Sequence, residues 1–262
     1  MDQKEAITVV SLSLMKDPAV RAVFLKGSQA RGEQDIYSDV DMYCLVYDDA
    51  LEGFLGRRIP FLEEYKKLIY WSESNFVGPQ IVGVYEDGLH FDLYTVTVES
   101  LKRTDEILIL HDPEGLLVEY KAEAFSISDA EVTKIMSGFT FSLLEFESAF
   151  HRGDVLWAHR LGSHLATDLM MVLRHMEEPD KAGLGIKGVH RIIKPQDLNV
   201  LTEALNAMGP DNLPNGVKML LELATAVIER FSDRLDESWN QSFFDFMVKR
   251  IRSLTPHSNH SK

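Results

Sequence analysis

The sequence predicts an α+β chain in which a small strand-rich domain is followed by an all-helical one, and three observations carry that expectation. Segments of the first half alternate apolar and polar residues with the period of two that strands require. Glycine- and proline-containing turns punctuate those segments. Beyond them, apolar residues recur at helical spacing almost to the end of the chain. The expected domains are residues 1–125 and 126–254, with 255–262 as a disordered tail.

Taken in order, Ile7, Val10 and Leu14 share one helical face, and Asp17-Pro18 ends that helix because proline lacks the N–H that a continuing turn needs. Val20 to Lys26 reads as a strand, and so does the run in which Val40, Met42, Cys44 and Val46 alternate with Asp39, Asp41, Tyr43 and Leu45. Alternation puts Asp39 and Asp41 on one face. Gly27-Ser28 and Gly32 between the strands mark a tight turn with a single helical turn. Residues 60–70, PFLEEYKKLIY, open with a helix-compatible proline and predict a covering helix. PQIVGVYEDGLHFDLYTVTV predicts a hairpin turning at Asp87-Gly88, with His90, Asp92 and Tyr94 on one face. DEILILHDPEG supplies a last apolar segment closed by a turn.

The helical half begins at Ser128, which has capping-box spacing to Glu131, with Ile127 and Val132 as the accompanying hydrophobic staple. Val132, Ile135, Phe139, Leu143, Phe146 and Phe150 then form one apolar stripe. Further helices are expected near 154–176, 213–235 and 239–254, with a shorter one around 197–208, which makes a bundle.

Composition narrows the function. The 262 residues are 45% hydrophobic, enough for a core, and the net charge of −14 repels a phosphate backbone. Nucleic acid is therefore not an expected partner, whereas a cationic small molecule is compatible. The single cysteine, Cys44, excludes an intrachain disulfide and a cysteine zinc cluster. The start, MDQKEAITVV, is polar and acidic, unlike a secretory signal, and no apolar run approaches the roughly 18 to 20 residues of a membrane span. A cytoplasmic protein without membrane partners is the expectation.

The acids carry the chemistry. Asp39 and Asp41 on one strand face, with Asp92 on a paired strand, can make a cluster of oxygen ligands. Close carboxylates repel one another unless a cation neutralises them, and Mg²⁺ suits hard oxygen donors while keeping positions for phosphate and water. Gly27-Ser28 adds a turn whose backbone can approach phosphate closely. Gly27 and Gly32 have the outer spacing of a P-loop, but Glu33-Gln34 stand where that motif has Lys and Ser/Thr, so a P-loop is excluded. A solvated strand face accounts for any one of these acids alone; the combination with Gly27-Ser28 favours a site.

KGSQARG…YSDVDMY followed by HFDLY resembles the signature of the polymerase β-type nucleotidyltransferase superfamily. The match covers about the first 110 residues. Within that superfamily the trailing helical half, with FHRGDVLWAHRLGSHLATDLMMVLR and GIKGVHRII, is similar to the small bacterial enzymes that modify lincosamides or aminoglycosides. The resemblance implies a small mixed-sheet nucleotidyltransferase core followed by a helical substrate-binding domain. It implies transfer of a nucleoside monophosphate, usually AMP from ATP, to a hydroxyl of a small molecule, with release of pyrophosphate. Ser28 would hold the triphosphate beside Gly27, Asp39 and Asp41 would bind two Mg²⁺ ions, and Asp92 would be the third ligand or the base. Lys187 is the candidate triphosphate contact from the second domain, because such enzymes often place a lysine in this region.

Other candidates keep two readings. Arg31 either binds phosphate or pairs with Glu33 and Asp35 at the surface, and the cluster Lys187, His190, Arg191 and Lys194 either clamps a triphosphate or is solvated. His164, Asp168 and His175 share a helix face with Trp157 and Met171; a cleft lining accounts for them better than a metal site. Glu145 and Glu147 fall off the apolar stripe, which favours a solvated face over a role as base. The rival to an enzyme is a catalytically silent, nucleotide-binding regulatory or toxin-neutralising protein of the same fold, and the intact acids argue against it.

Overall fold

The computed structural model describes residues 2–75 and 78–255; the expected tail, apart from Thr255, lies outside the described residues. The chain divides into two compact units, Met1–Ala124 and Phe125–Lys262. A mixed six-stranded sheet forms the first, and helices form the second.

In the first unit, α1 (Gln3–Leu14) starts at Asp2, whose carboxylate accepts the backbone N–H of Glu5. Strand β1 (Val20–Leu25) leads into the short helix α2 (Gly27–Arg31), then β2 (Val40–Val46), α3 (Leu51–Leu55) and α4 (Arg58–Glu63). Strands β3 (Leu68–Asn75), β4 (Pro79–Tyr85), β5 (His90–Val96) and β6 (Leu108–His111) complete the sheet in the order β3-β4-β5-β2-β1-β6. Every neighbouring pair is antiparallel except β2 and β5, which run parallel.

The two sheet faces have different coverings. Val23, Leu25, Val40, Met42, Cys44 and Val46 pack against Ala6, Val10 and Leu14 of α1 and against Phe54 and Leu62. Cys44 is fully buried there, and that burial pushes its thiol pKa well up. On the other face Ala22, Phe24, Tyr43 and Leu45 pack with Val96 and Leu117.

The covering helix expected over residues 60–70 is corrected: only α4, ending at Glu63, is helical, and from Leu68 the chain is strand β3. Tyr65 and Lys66 stop the helix by turning to Asp87, whose Oδ2 accepts the Tyr65 hydroxyl at 3.1 Å and Lys66 Nζ at 3.0 Å. The β-forming residues Ile69, Tyr70 and Trp71 then pair along β4. Gly88 (φ 85°) closes the β4–β5 hairpin, as expected at Asp87-Gly88.

The second unit contains α5 (Asp129–His151), α6 (Val155–Glu177), α7 (Pro195–Asn206), α8 (Leu213–Phe231) and α9 (Gln241–Ser253). The capping box forms as read: Ser128 Oγ accepts the N–H of Glu131, and the Glu131 carboxylate accepts the N–H of Ser128. Val132, Phe139, Leu143, Phe146 and Phe150 are buried, with Ile135 against the same core. Glu147 corrects the expectation of a solvated face. It is only 5% exposed, because α9 packs on α5 and Arg250 donates to Glu147 Oε2 at 2.7 Å.

Among the described residues no helix is long and apolar enough to cross a membrane. Replacing Ser128 by alanine removes one half of the capping box and lowers stability by about 1 kcal/mol in urea unfolding followed by helical circular dichroism.

Candidate active site

The parallel pairing of β2 with β5 builds the site. Its register sets Asp41 beside Asp92 and, two residues on, Tyr43 beside Tyr94. Alternation sends all four side chains to the same face, opposite to Met42 and Leu93. The tyrosine rings stack at 4.4 Å, and Phe24 continues the stack at 5.2 Å from Tyr43. Asp39 sits one residue before β2, and His90 opens β5. The His90 ring joins the acids: its Nε2 lies 3.1 Å from Asp92 Oδ1 and its Nδ1 3.8 Å from Asp39 Oδ2.

The turn between β1 and β2 meets these acids from the neighbouring strand. Gly27 has φ +66°, and a Cβ built on it would overlap Oδ2 of Asp41, so glycine is required here both by backbone conformation and by space. The next residue, Ser28, has a buried hydroxyl with no hydrogen-bond partner. A buried polar atom left unpaired costs free energy, so Ser28 Oγ has a hydrogen bond still to make.

The electrostatics follow from this crowding. The Asp92 hydrogen bond, with the fields of Asp41 and Asp39, raises the His90 pKa against the opposing effect of burial. The same contacts favour the protonated imidazole, whose charge would offset part of the carboxylates' repulsion. Burial, reinforced by Asp41, Asp92 and Asp39, pushes the Tyr94 hydroxyl far above its usual pKa and keeps it neutral. Lys26, beside the turn, is depressed to about 8 by burial, with Asp105 pulling it back up.

Among the described residues no group of three or more His, Cys, Asp or Glu side chains is arranged to hold a metal ion as it stands. At this site the imidazole of His90 lies between Asp39 and Asp92. The donors themselves fit a hard cation: carboxylates on adjacent strands, a glycine-lined approach and an unpaired hydroxyl.

Thus Gly27, Asp39, Asp41 and Asp92 come together, with Ser28 adjoining. Arg31 is placed differently from an exposed phosphate contact. Its Nε donates to Glu33 at 2.8 Å, its Nη1 pairs with Asp105, and its side chain is 12% exposed. Lys187 is an exposed residue of the second unit, and its carbonyl accepts from Arg174 Nη1 at 2.6 Å. Lys194 pairs with Glu177. His175 is buried against Asp129, whereas His164 and Asp168 form an i,i+4 pair at 3.8 Å. Sequence reasoning gave no role to His90, Lys26 or Asp105. His90 was visible as a neighbour of Asp92 on the same strand face; Lys26 and Asp105 find their partners more than seventy residues away.

Residues 11–110 match the family model described as a nucleotidyltransferase domain. The matched span lies within the first unit and contains Gly27, Ser28, Asp39, Asp41 and Asp92. Among solved structures the chain is similar to an aminoglycoside 6-adenyltransferase from Bacillus subtilis, at 15% identity and a TM-score of 0.43, covering 96% of this chain and 98% of that one. No curated protein sequence matches the chain.

Two measurements probe this geometry. Gly27→Ala and Gly32→Ala both place alanine at positive φ, 66° and 67°, but only the first collides with Asp41. Gly27→Ala is therefore expected to destabilise the first unit by about 1–2 kcal/mol more than Gly32→Ala in chemical unfolding. In the second unit, burial lifts Asp168 to about 6, with His164 pulling it down. A raised carboxyl pKa gives stability that is present below about pH 4 and lost as pH climbs through about 6. Asp168→Asn should abolish that loss and leave the variant more stable at pH 7 by on the order of 2 kcal/mol, with the two proteins converging below pH 4.

Proposed function

We propose that the protein transfers a nucleoside monophosphate, AMP from ATP, to a hydroxyl of a small molecule and releases pyrophosphate. The observation that carries this reading is the pairing of Asp41 with Asp92 directly against the Gly27-Ser28 turn, whose serine hydroxyl is buried and unpaired. Acids alone would suit many roles. Acids beside a glycine-serine turn, in a span that matches a nucleotidyltransferase domain model, suit nucleotidyl transfer.

In this reading Gly27 lets the turn pack directly against the Asp41 carboxylate, and Ser28 Oγ donates to a phosphate oxygen. Asp39 and Asp41 hold Mg²⁺, with Asp92 either the third ligand or the acceptor of the hydroxyl proton. When bound, Mg²⁺ supplies charge neutralisation at the phosphates and lowers the pKa of the acceptor hydroxyl. The acceptor oxygen forms a bond to the α-phosphorus, the bond from that phosphorus to pyrophosphate breaks, and the hydroxyl proton leaves to Asp92 or to water.

The net charge of −14 favours a cationic acceptor, and aminoglycosides are polycations of this kind. Lincosamides share the hydroxyl chemistry and are the second acceptor class that the motif resemblance suggests.

The deciding measurement is pyrophosphate release from ATP and Mg²⁺ across a panel of aminoglycosides and lincosamides, beside Asp41→Asn. Acceptor-dependent release that falls at least about 100-fold in the variant is expected, because removing a group that holds transition-state charge costs several kcal/mol. Magnesium-dependent ATP binding without release for any acceptor would overturn the transferase reading in favour of a silent nucleotide-binding protein.

A further inference from the structure

We propose that residues 102–106 are the positioning element of the Gly27-Ser28 turn, and that Asp105 is its positioning residue, acting through Arg31. This inference rests on the reading that the turn receives a triphosphate.

The starting point is a physical deficiency. Helix α2 has five residues, too few to be stable by its own hydrogen bonds, and it lacks a side-chain cap at Lys26. Its conformation has to be imposed from outside. Both of its ends are tied to one short segment. Before the helix, Lys26 Nζ donates to the carbonyls of Lys102 and Thr104 at 2.7 and 2.9 Å. The same ammonium lies 5.0 Å from the Tyr43 ring centroid and 5.6 Å from that of Tyr120, and the residue is 5% exposed. At the last helical residue, Arg31 pairs with Asp105.

Asp105 is itself held in an unusual state. Among the described residues it is the only non-glycine residue with positive φ, at 72°. Such a backbone persists where its surroundings over-determine it. Here Asp105 Oδ1 accepts the N–H of Glu106 at 2.9 Å, its carbonyl accepts the Tyr120 hydroxyl at 2.9 Å, and its second carboxylate oxygen takes Arg31. Thr104 is bridged to Glu123, and the N–H of Glu123 donates to the Arg103 carbonyl at 2.8 Å. The segment is anchored independently of α2 and grips it at both ends.

Arg31 therefore faces carboxylates, Asp105 and Glu33, and its effect on a phosphate passes through the position of α2 rather than through contact. Asp105 and Arg31 then form one interaction, so removing either partner should do the same thing as removing both.

The test uses the full chain and the variants Arg31→Met, Asp105→Asn, Asp105→Gly and Arg31→Met/Asp105→Asn. Two readouts are taken: the ATP dissociation constant and KM with Mg²⁺, and amide hydrogen exchange of residues 27–32 without nucleotide. Each single variant is expected to weaken ATP binding about tenfold with kcat little changed, the double variant no more than either single, and exchange at 27–32 to rise about tenfold while α5–α9 stay unchanged. Asp105→Gly relieves the positive φ and keeps the segment folded, so its agreement with Asp105→Asn separates loss of the clamp from loss of fold. If Arg31→Met weakens ATP while Asp105→Asn does not, or if their effects multiply, Arg31 contacts phosphate itself and the proposal is wrong. Unchanged exchange at 27–32 overturns it as well. Faster exchange in the variants of a wild-type protein that binds no ATP would keep the clamp, sink the triphosphate reading, and leave Asp105 without a role in phosphate binding.

Discussion

The parallel alignment of β2 with β5 is the constraint on which the site depends. Parallel neighbours cannot be joined by a tight turn, so the chain leaves the sheet after β2 through α3 and α4, re-enters it at the edge as β3 and β4, and only then reaches β2 again as β5. Register matters as much as direction. A slip of one residue would turn Asp92 to the face where Val40 and Met42 are buried and would bring Phe91 and Leu93 out beside Asp41. The apolar residues alternating with the acids thus fix the chemistry, because burying a carboxylate in that core costs far more than any gain from a shifted ladder.

Holding carboxylates together has its own cost, and the unit offsets it with neighbours other than the three acids. His90 sits between Asp39 and Asp92, with its protonated form favoured by both. The stacked Phe24, Tyr43 and Tyr94 rings close the same face on the side away from His90 and keep neutral hydroxyls near the acids. This mixture gives a face that is acidic at one end and aromatic at the other.

Much of this was legible in the sequence where the signal was local. Alternation located β1, β2 and the β4–β5 hairpin, and the Ser128/Glu131 spacing located the start of α5. The Gly27-Ser28, Asp39, Asp41 and Asp92 pattern carried the family resemblance that the domain match bears out. What was misread involves a competing or distant partner. EEYKKLIY contains good helix formers followed by β formers, and the ties from Tyr65 and Lys66 to Asp87 decide where one gives way to the other. Glu147 reads as a surface acid until α9, about a hundred residues on, brings Arg250 to it. Arg31 likewise reads as an exposed cation until the positive-φ residue Asp105 claims it.

The position of Cys44 has a practical consequence. The single thiol of the chain is enclosed between the sheet and α1, and its burial disfavours the thiolate that alkylating reagents and oxidants require. The folded protein is in effect a cysteine-free background. A cysteine introduced at an exposed position, such as Leu156, which is 86% exposed, would be the one reactive handle for a fluorophore or spin label, with no need to remove the native residue first.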